Sequence, residues 1–128
     1  MSGKIVRLIL VSALALSIAG AAPASAKSGD VVKRGSCSGS TDWKLKLSPQ
    51  NGRIEVEYEI DSNVVGQRWR VRIFENGNRI FAGSRLTKAP SGSFSVRVVA
   101  PNPAGTDAFK ARAKNPNTGE LCVGRASI

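Results

Sequence analysis

Nine residues could carry chemistry by type and spacing, and they fall in three rows. Glu55, Glu57 and Glu59 recur at every second position, as do Arg68, Arg70 and Arg72, and again Lys110, Arg112 and Lys114. Period two places each row on one face of a β-strand, with successive charges about 6–7 Å apart. For the glutamates that spacing overlaps the separation of paired glycosidase carboxylates. Such acids must, however, oppose each other across a cleft, and a row on one strand does not. The two basic rows can hold an anion, provided their charges are not already spent on the glutamates.

Other chemistries are excluded by composition. The chain has no histidine, which removes imidazole bases, Ser-His-Asp and Cys-His arrangements and imidazole metal ligands. It has two cysteines, Cys37 and Cys122, and if they pair no thiolate remains for zinc or for nucleophilic attack. No Gly-rich phosphate loop opens a helix, because no segment has a helical period. Asp61, Asn63 and Asp107 fall in expected loops and offer hard oxygen ligands for calcium, but their spacing matches no recognised calcium loop and turn roles account for them. The expected protein is not an enzyme, and the sequence assigns it no catalytic residue, metal or cofactor.

The rows need elements to position them. At the amino terminus, Lys4 and Arg7 precede an apolar run from Leu8 to Ala22, and Pro23-Ala24-Ser25-Ala26 follows. This order is that of a cleavable export signal spanning 1–26, and the run is shorter than the roughly 20 residues a membrane span requires. Its removal leaves about 100 residues, enough for one core, and loss of Lys4 and Arg7 takes the net charge from +10 to +8. An exported chain meets an oxidising compartment, so Cys37 and Cys122 are expected to form a disulfide. Their places near the two ends of the domain give the bridge a loop-closure worth of roughly 4–5 kcal/mol.

Residues 27–40 are polar and glycine-bearing and read as a flexible lead-in that carries Cys37. From there to Ile128 the pattern alternates. Trp43, Leu45 and Leu47 begin it. Ile54, Val56, Tyr58 and Ile60 follow, then Trp69, Val71 and Ile73, then a weaker run over 79–86. Phe94, Val96, Val98 and Ala100 come next, then Phe109, Ala111 and Ala113, and last Cys122, Gly124, Ala126 and Ile128. Turns are expected at 48–52, at Asn76-Gly77, around Pro90, at 101–105 and at 115–119. About seven short strands and no helix give an all-β fold over 41–128: a single small antiparallel β-sandwich, immunoglobulin- or fibronectin-III-like, with one disulfide. A small barrel or meander is the alternative. Trp43, Trp69, Tyr58 and Phe94 share the buried phase. Phe74 and Phe81, beside the Asn76-Gly77 turn, are the only loosely placed aromatics, and a sugar-stacking platform would need exposed ones.

Sheet topology decides what the charge rows mean. If the glutamate strand pairs with the arginine strand, Glu57 opposite Arg70 sets Glu55 against Arg72 and Glu59 against Arg68, with Lys44 and Lys46 flanking the row. Each pair then contributes roughly 0.2–1 kcal/mol and the charge is structural. In an immunoglobulin-like sandwich these two strands lie in different sheets. Arg68, Arg70, Arg72, Lys110, Arg112, Lys114 and Arg125 then share one face, a candidate anion-binding surface. The polar link from Asp61 to Gln67 is long for a hairpin and suits a crossing between sheets.

The segments GSCSGSTDWKLKLSPQNGRIEVEYEID, GQRWRVRI, APSGSFSVRVV, AGTDAFKARAKN and TGELC resemble a family of short secreted proteins of high-GC Gram-positive bacteria. Its members share a signal peptide, a Cys-Ser-Gly-Ser start, a Trp-Lys-Leu-Lys-Leu strand and a late cysteine. The resemblance covers nearly the whole mature chain and implies export and the disulfide. It carries no activity and no functional residues. The expected function is therefore that of a secreted, monomeric binding module, extracellular or associated with the cell wall, with no membrane span in its mature form. Its partners would be extracellular polyanions: teichoic acid, acidic polysaccharide or released DNA. The alternatives are a structural envelope protein whose charges satisfy each other, and a protease inhibitor or secreted signal presenting the 101–107 loop or the Asn76-Gly77 hairpin.

Overall fold

The computed structural model describes residues 29–128; the expected export signal lies outside them. Eight strands form: β1 (Val31–Ser36), β2 (Asp42–Gln50), β3 (Arg53–Asp61), β4 (Arg68–Glu75), β5 (Asn78–Leu86), β6 (Ser93–Pro101), β7 (Ala108–Lys114) and β8 (Leu121–Ser127). They make two four-stranded sheets, in the orders β1-β2-β3-β6 and β5-β4-β7-β8, and every pairing is antiparallel. The fold is the all-β sandwich expected from the alternation, with eight strands in place of about seven. Among the described residues no helix is long and apolar enough to cross a membrane.

The alternating residues meet between the sheets. Leu45, Leu47, Ile54, Val56, Tyr58 and Ile60 from the first sheet are fully buried against Trp69, Val71, Ile73, Ala111 and Ala113 from the second. The small residues of β7 leave room for the large ones of β3 and β4, which is how a thin core reaches close packing. Two hairpins close on Asn-Gly pairs with both residues at positive φ: Asn51-Gly52 at 49° and 74°, and Asn76-Gly77 at 49° and 82°. That backbone twist matches the twist of the flanking strands, and asparagine and glycine tolerate it best. The first of these turns is tighter than the sequence suggests. Ser48, Pro49 and Gln50 stay in β2, paired with β3. Pro49 lies beyond the end of β1, so its missing N–H takes nothing from the β1–β2 ladder.

The lead-in corrects the sequence reading. Val31–Ser36 is not a loose tail but an edge strand, registered on β2 from Val31 opposite Leu47 to Ser36 opposite Asp42. Its sequence, VVKRGS, has too few apolar residues to show a period. What holds it is β2 on one side and the cystine at its end. Cys37 and Cys122 are joined, with Cα atoms 4.3 Å apart, and the bridge ties the β1–β2 loop to β8 across the sandwich. Beside it the Cys37 amide donates to the Thr41 carbonyl and the Ser38 amide to the Leu121 carbonyl. Glu120 completes the clasp: its carboxylate accepts from the Thr41 amide at 3.0 Å and the Thr41 hydroxyl at 2.6 Å.

Trp43 fills the space next to the bridge. A Cβ placed on Gly35 would come within 2.6 Å of the indole, and one on Gly124 within 2.8 Å. Gly35 is the cross-strand partner of Trp43 on β1 and Gly124 lies on β8. The indole is therefore gripped between backbones from both sheets, where only glycine fits.

Candidate functional site: the outer face of the second sheet

Placement in different sheets separates the glutamate row from the arginine rows. Glu55, Glu57 and Glu59 lie on the outer face of the first sheet, on β3 between β2 and β6. Their partners come from those neighbours. Lys44 pairs with Glu59 at 3.7 Å, and Arg97 bridges Glu55 and Glu57 at 3.1 Å each. The hydrogen bond that Arg97 donates to Glu57, with the charges of Glu55 and Glu57, pushes its guanidinium above its ordinary pKa. Lys46 stands across from Glu57 but reaches Asp30 at 3.7 Å. The alternative in which Glu57 opposes Arg70 is excluded, because β3 and β4 are not neighbours. Lys44 and Lys46 both flank the row in register as expected, but only Lys44 forms an ion pair with it.

Arg68, Arg70 and Arg72 occupy the outer phase of β4, with Trp69, Val71 and Ile73 buried between them. Lys110, Arg112 and Lys114 do the same on β7, alternating with Phe109, Ala111 and Ala113. Antiparallel pairing sets Arg70 opposite Lys114 and Arg72 opposite Arg112. One strand further, Lys110 stands opposite Arg125 of β8. The seven cations thus share one face, with cross-strand neighbours about 5 Å apart at the backbone.

No acidic residue shares it. All nine are among the described residues. Asp42, Glu55, Glu57, Glu59 and Asp61 belong to the first sheet, and Asp30 precedes β1. Glu75 and Asp107 are buried at one pole, and Glu120 is held by Thr41. None of the seven cations forms an ion pair or a hydrogen bond among the described residues, whereas Lys44, Lys46 and Arg97 of the first sheet do. Arg70, Arg72, Arg112 and Lys114 line a shallow groove with Ala82, Gly83 and Ser84 of β5, whose small side chains leave the guanidinium groups open. The face can engage anions by charge and by the planar fork of arginine.

The oxygen-rich loop residues are not brought together. The Asp61 carboxylate accepts from the Asn63 amide at 3.2 Å, a local turn at the pole where β3 ends and β4 begins. Asp107 lies at the opposite pole, where β4 ends and β7 begins. There the Asn76 side-chain amide donates to it at 3.1 Å, and its backbone exchanges hydrogen bonds with Ile128. Asp61, Asn63 and Asp107 therefore cannot share a calcium ion. Among the described residues no three acidic, histidine or cysteine side chains are grouped to hold a metal.

Sequence reasoning passed over one feature. Glu75 sits in the inward phase opposite Phe109 and is nearly sealed from solvent. Burial, and secondarily the charge of Asp107, push its pKa up. Its place after Trp69, Val71 and Ile73 in strict alternation was the available signal. Phe74, one of the two loosely placed aromatics of the sequence, joins the basic face. Comparison with family models, curated proteins and solved structures found no match to this chain.

Proposed function

We propose that this is an exported, non-enzymatic binding module whose second-sheet outer face holds an extracellular polyanion. One observation carries the reading: seven cations converge on a face that contains no carboxylate, while on the opposite sheet Lys44 and Arg97 pair with the glutamate row. Like charges at cross-strand spacing repel, and an anionic polymer laid along the sheet removes that cost. The resemblance to secreted proteins of Gram-positive bacteria and the disulfide support an extracellular or wall-associated setting. There the available polymers are teichoic acid, acidic polysaccharide and released DNA. The face is built of strands, with no helix among the described residues to enter a nucleic-acid groove, which favours backbone charge over sequence as the recognised feature.

The test is titration of the purified, disulfide-intact protein with teichoic acid and with DNA over a salt series, beside the Arg68/Arg70/Arg72→Ser triple variant. Binding that weakens steeply with salt is expected. The variant's log–log salt dependence should be shallower by about 2–3. No binding by the parent protein at low salt would overturn the reading and return the search to the 101–107 loop and the Asn76-Gly77 hairpin.

A further inference from the structure

The basic face contains an aromatic side chain at one end. Phe74 is in phase with Arg68, Arg70 and Arg72 on β4 and stands opposite Lys110 of β7, which in turn stands opposite Arg125 of β8. It is not part of the core cluster that takes Trp69, Phe94, Phe109 and the partly buried Phe81. On its other side the β4–β5 pairing slips. Ile73 pairs with Phe81 and Phe74 with Arg79, so Ile80 is an extra residue opposite the ring. A bulge of this kind bends the strand and re-aims nearby side chains. Beside the ring runs a groove lined by Gly77, Ala108, Ala126 and Ser127, with Lys110 and Arg125 also lining it. Small side chains keep it open.

Resting on the polyanion reading of the same face, we infer that this groove is a subsite for an acidic sugar. The C–H face of one pyranose ring lies on Phe74, and the anionic substituent of that ring is held by Lys110 and Arg125. An apolar floor adds nothing for a bare phosphate chain, whereas a sugar has both a C–H face to bury and a charge to place. A single-stranded nucleic acid stacks successive bases on successive aromatic side chains, whereas beyond Phe74 the β4 and β7 rows of this face carry arginine and lysine, with Leu121 and Val123 of β8 beside them and no second aromatic. Of the polyanions outside a cell, an acidic polysaccharide therefore matches both parts of the face. Its next charges along the chain meet Arg72 and Arg112, then Arg70 and Lys114.

Three probes test this on the purified protein and its Phe74→Ala and Phe74→Trp variants, each first shown to unfold cooperatively. They are polygalacturonate, inorganic polyphosphate and oligodeoxythymidylate. Phe74→Ala is expected to weaken polygalacturonate binding about tenfold, the scale of a lost aromatic contact. Polyphosphate binding should stay within about twofold, and Phe74→Trp should retain polygalacturonate. Equal effects of Phe74→Ala on polygalacturonate and polyphosphate would overturn the subsite and leave the basic-face reading standing. A larger loss for oligodeoxythymidylate than for polygalacturonate would overturn the sugar assignment in favour of a base. Failure of the parent protein to bind any probe would overturn the face reading and the subsite with it.

Discussion

Arg72 of β4 stands directly across from Arg112 of β7, a like-charge pair on neighbouring strands with no carboxylate on their face. Such a pair costs stability in the isolated domain. Arg112→Glu should therefore raise the unfolding midpoint in low salt, by a few tenths of a kcal/mol up to about 1, and weaken polyanion binding at the same time. Denaturant unfolding with and without added salt checks the first effect. An unchanged or lowered midpoint at low salt would mean that the two guanidinium groups do not oppose each other.

The cystine closes most of the folded chain into one loop. Reduction, or the Cys37→Ser/Cys122→Ser double variant, is expected to cost roughly 4 kcal/mol. The loss should be felt first in β1, whose hydrogen-bonded neighbour is β2 alone. Hydrogen exchange of the Val31–Ser36 amides, measured beside the global midpoint, would show β1 loosening before the rest. Equal protection of β1 and β3 after reduction would contradict it.

Trp69 is fully buried at the centre of the core. Trp69→Ala should cost roughly 3–5 kcal/mol, enough to unfold much of the population of so small a domain. Gly124→Ala tests a different mechanism. Its Cβ would stand 2.8 Å from the Trp43 ring, and overpacking of this kind costs roughly 1–3 kcal/mol. Near-ultraviolet circular dichroism reports the packing of Trp43 together with Trp69, and an unperturbed spectrum in Gly124→Ala would show that the Trp43 indole is not gripped there.

Glu75 has a raised pKa in the folded protein, caused first by burial and then by Asp107. The native state therefore holds its proton to higher pH than the unfolded chain does. Its contribution is complete below the ordinary glutamate pKa and is lost as pH rises through the folded value. Glu75→Gln is expected to leave acid-side stability nearly unchanged, to raise stability at pH 7, and to flatten the decline that starts near pH 4–5. Denaturant midpoints across pH 3 to 8 measure it, and an undiminished slope in the variant would place the titration elsewhere.

Much of this molecule follows from local rules that act within a few residues. The alternation of Ile54, Val56, Tyr58 and Ile60 with three glutamates makes a strand and assigns its faces, because side chains on a strand alternate strictly. Asn76-Gly77 makes a hairpin because its two residues accept positive φ. By the same rules each row of arginines or lysines faces outward. Local rules also have clear limits. Val31–Ser36 shows no period, and its strand exists through pairing to β2.

Only the tertiary structure decided what the charges do. Glu57 and Arg70 have equal local claims to face each other, since both lie on outward phases of consecutive strands. The crossing of Asp61–Gln67 into the second sheet separates them and gives Glu57 to Arg97, distant in sequence, while Arg70 meets Lys114. Phe74 changed meaning in the same way. Its outward phase was local, but the groove around it is assembled from β4, β7 and β8. Which strands become neighbours depends on burying both sheets' apolar faces at once, a global condition that no short stretch of residues contains.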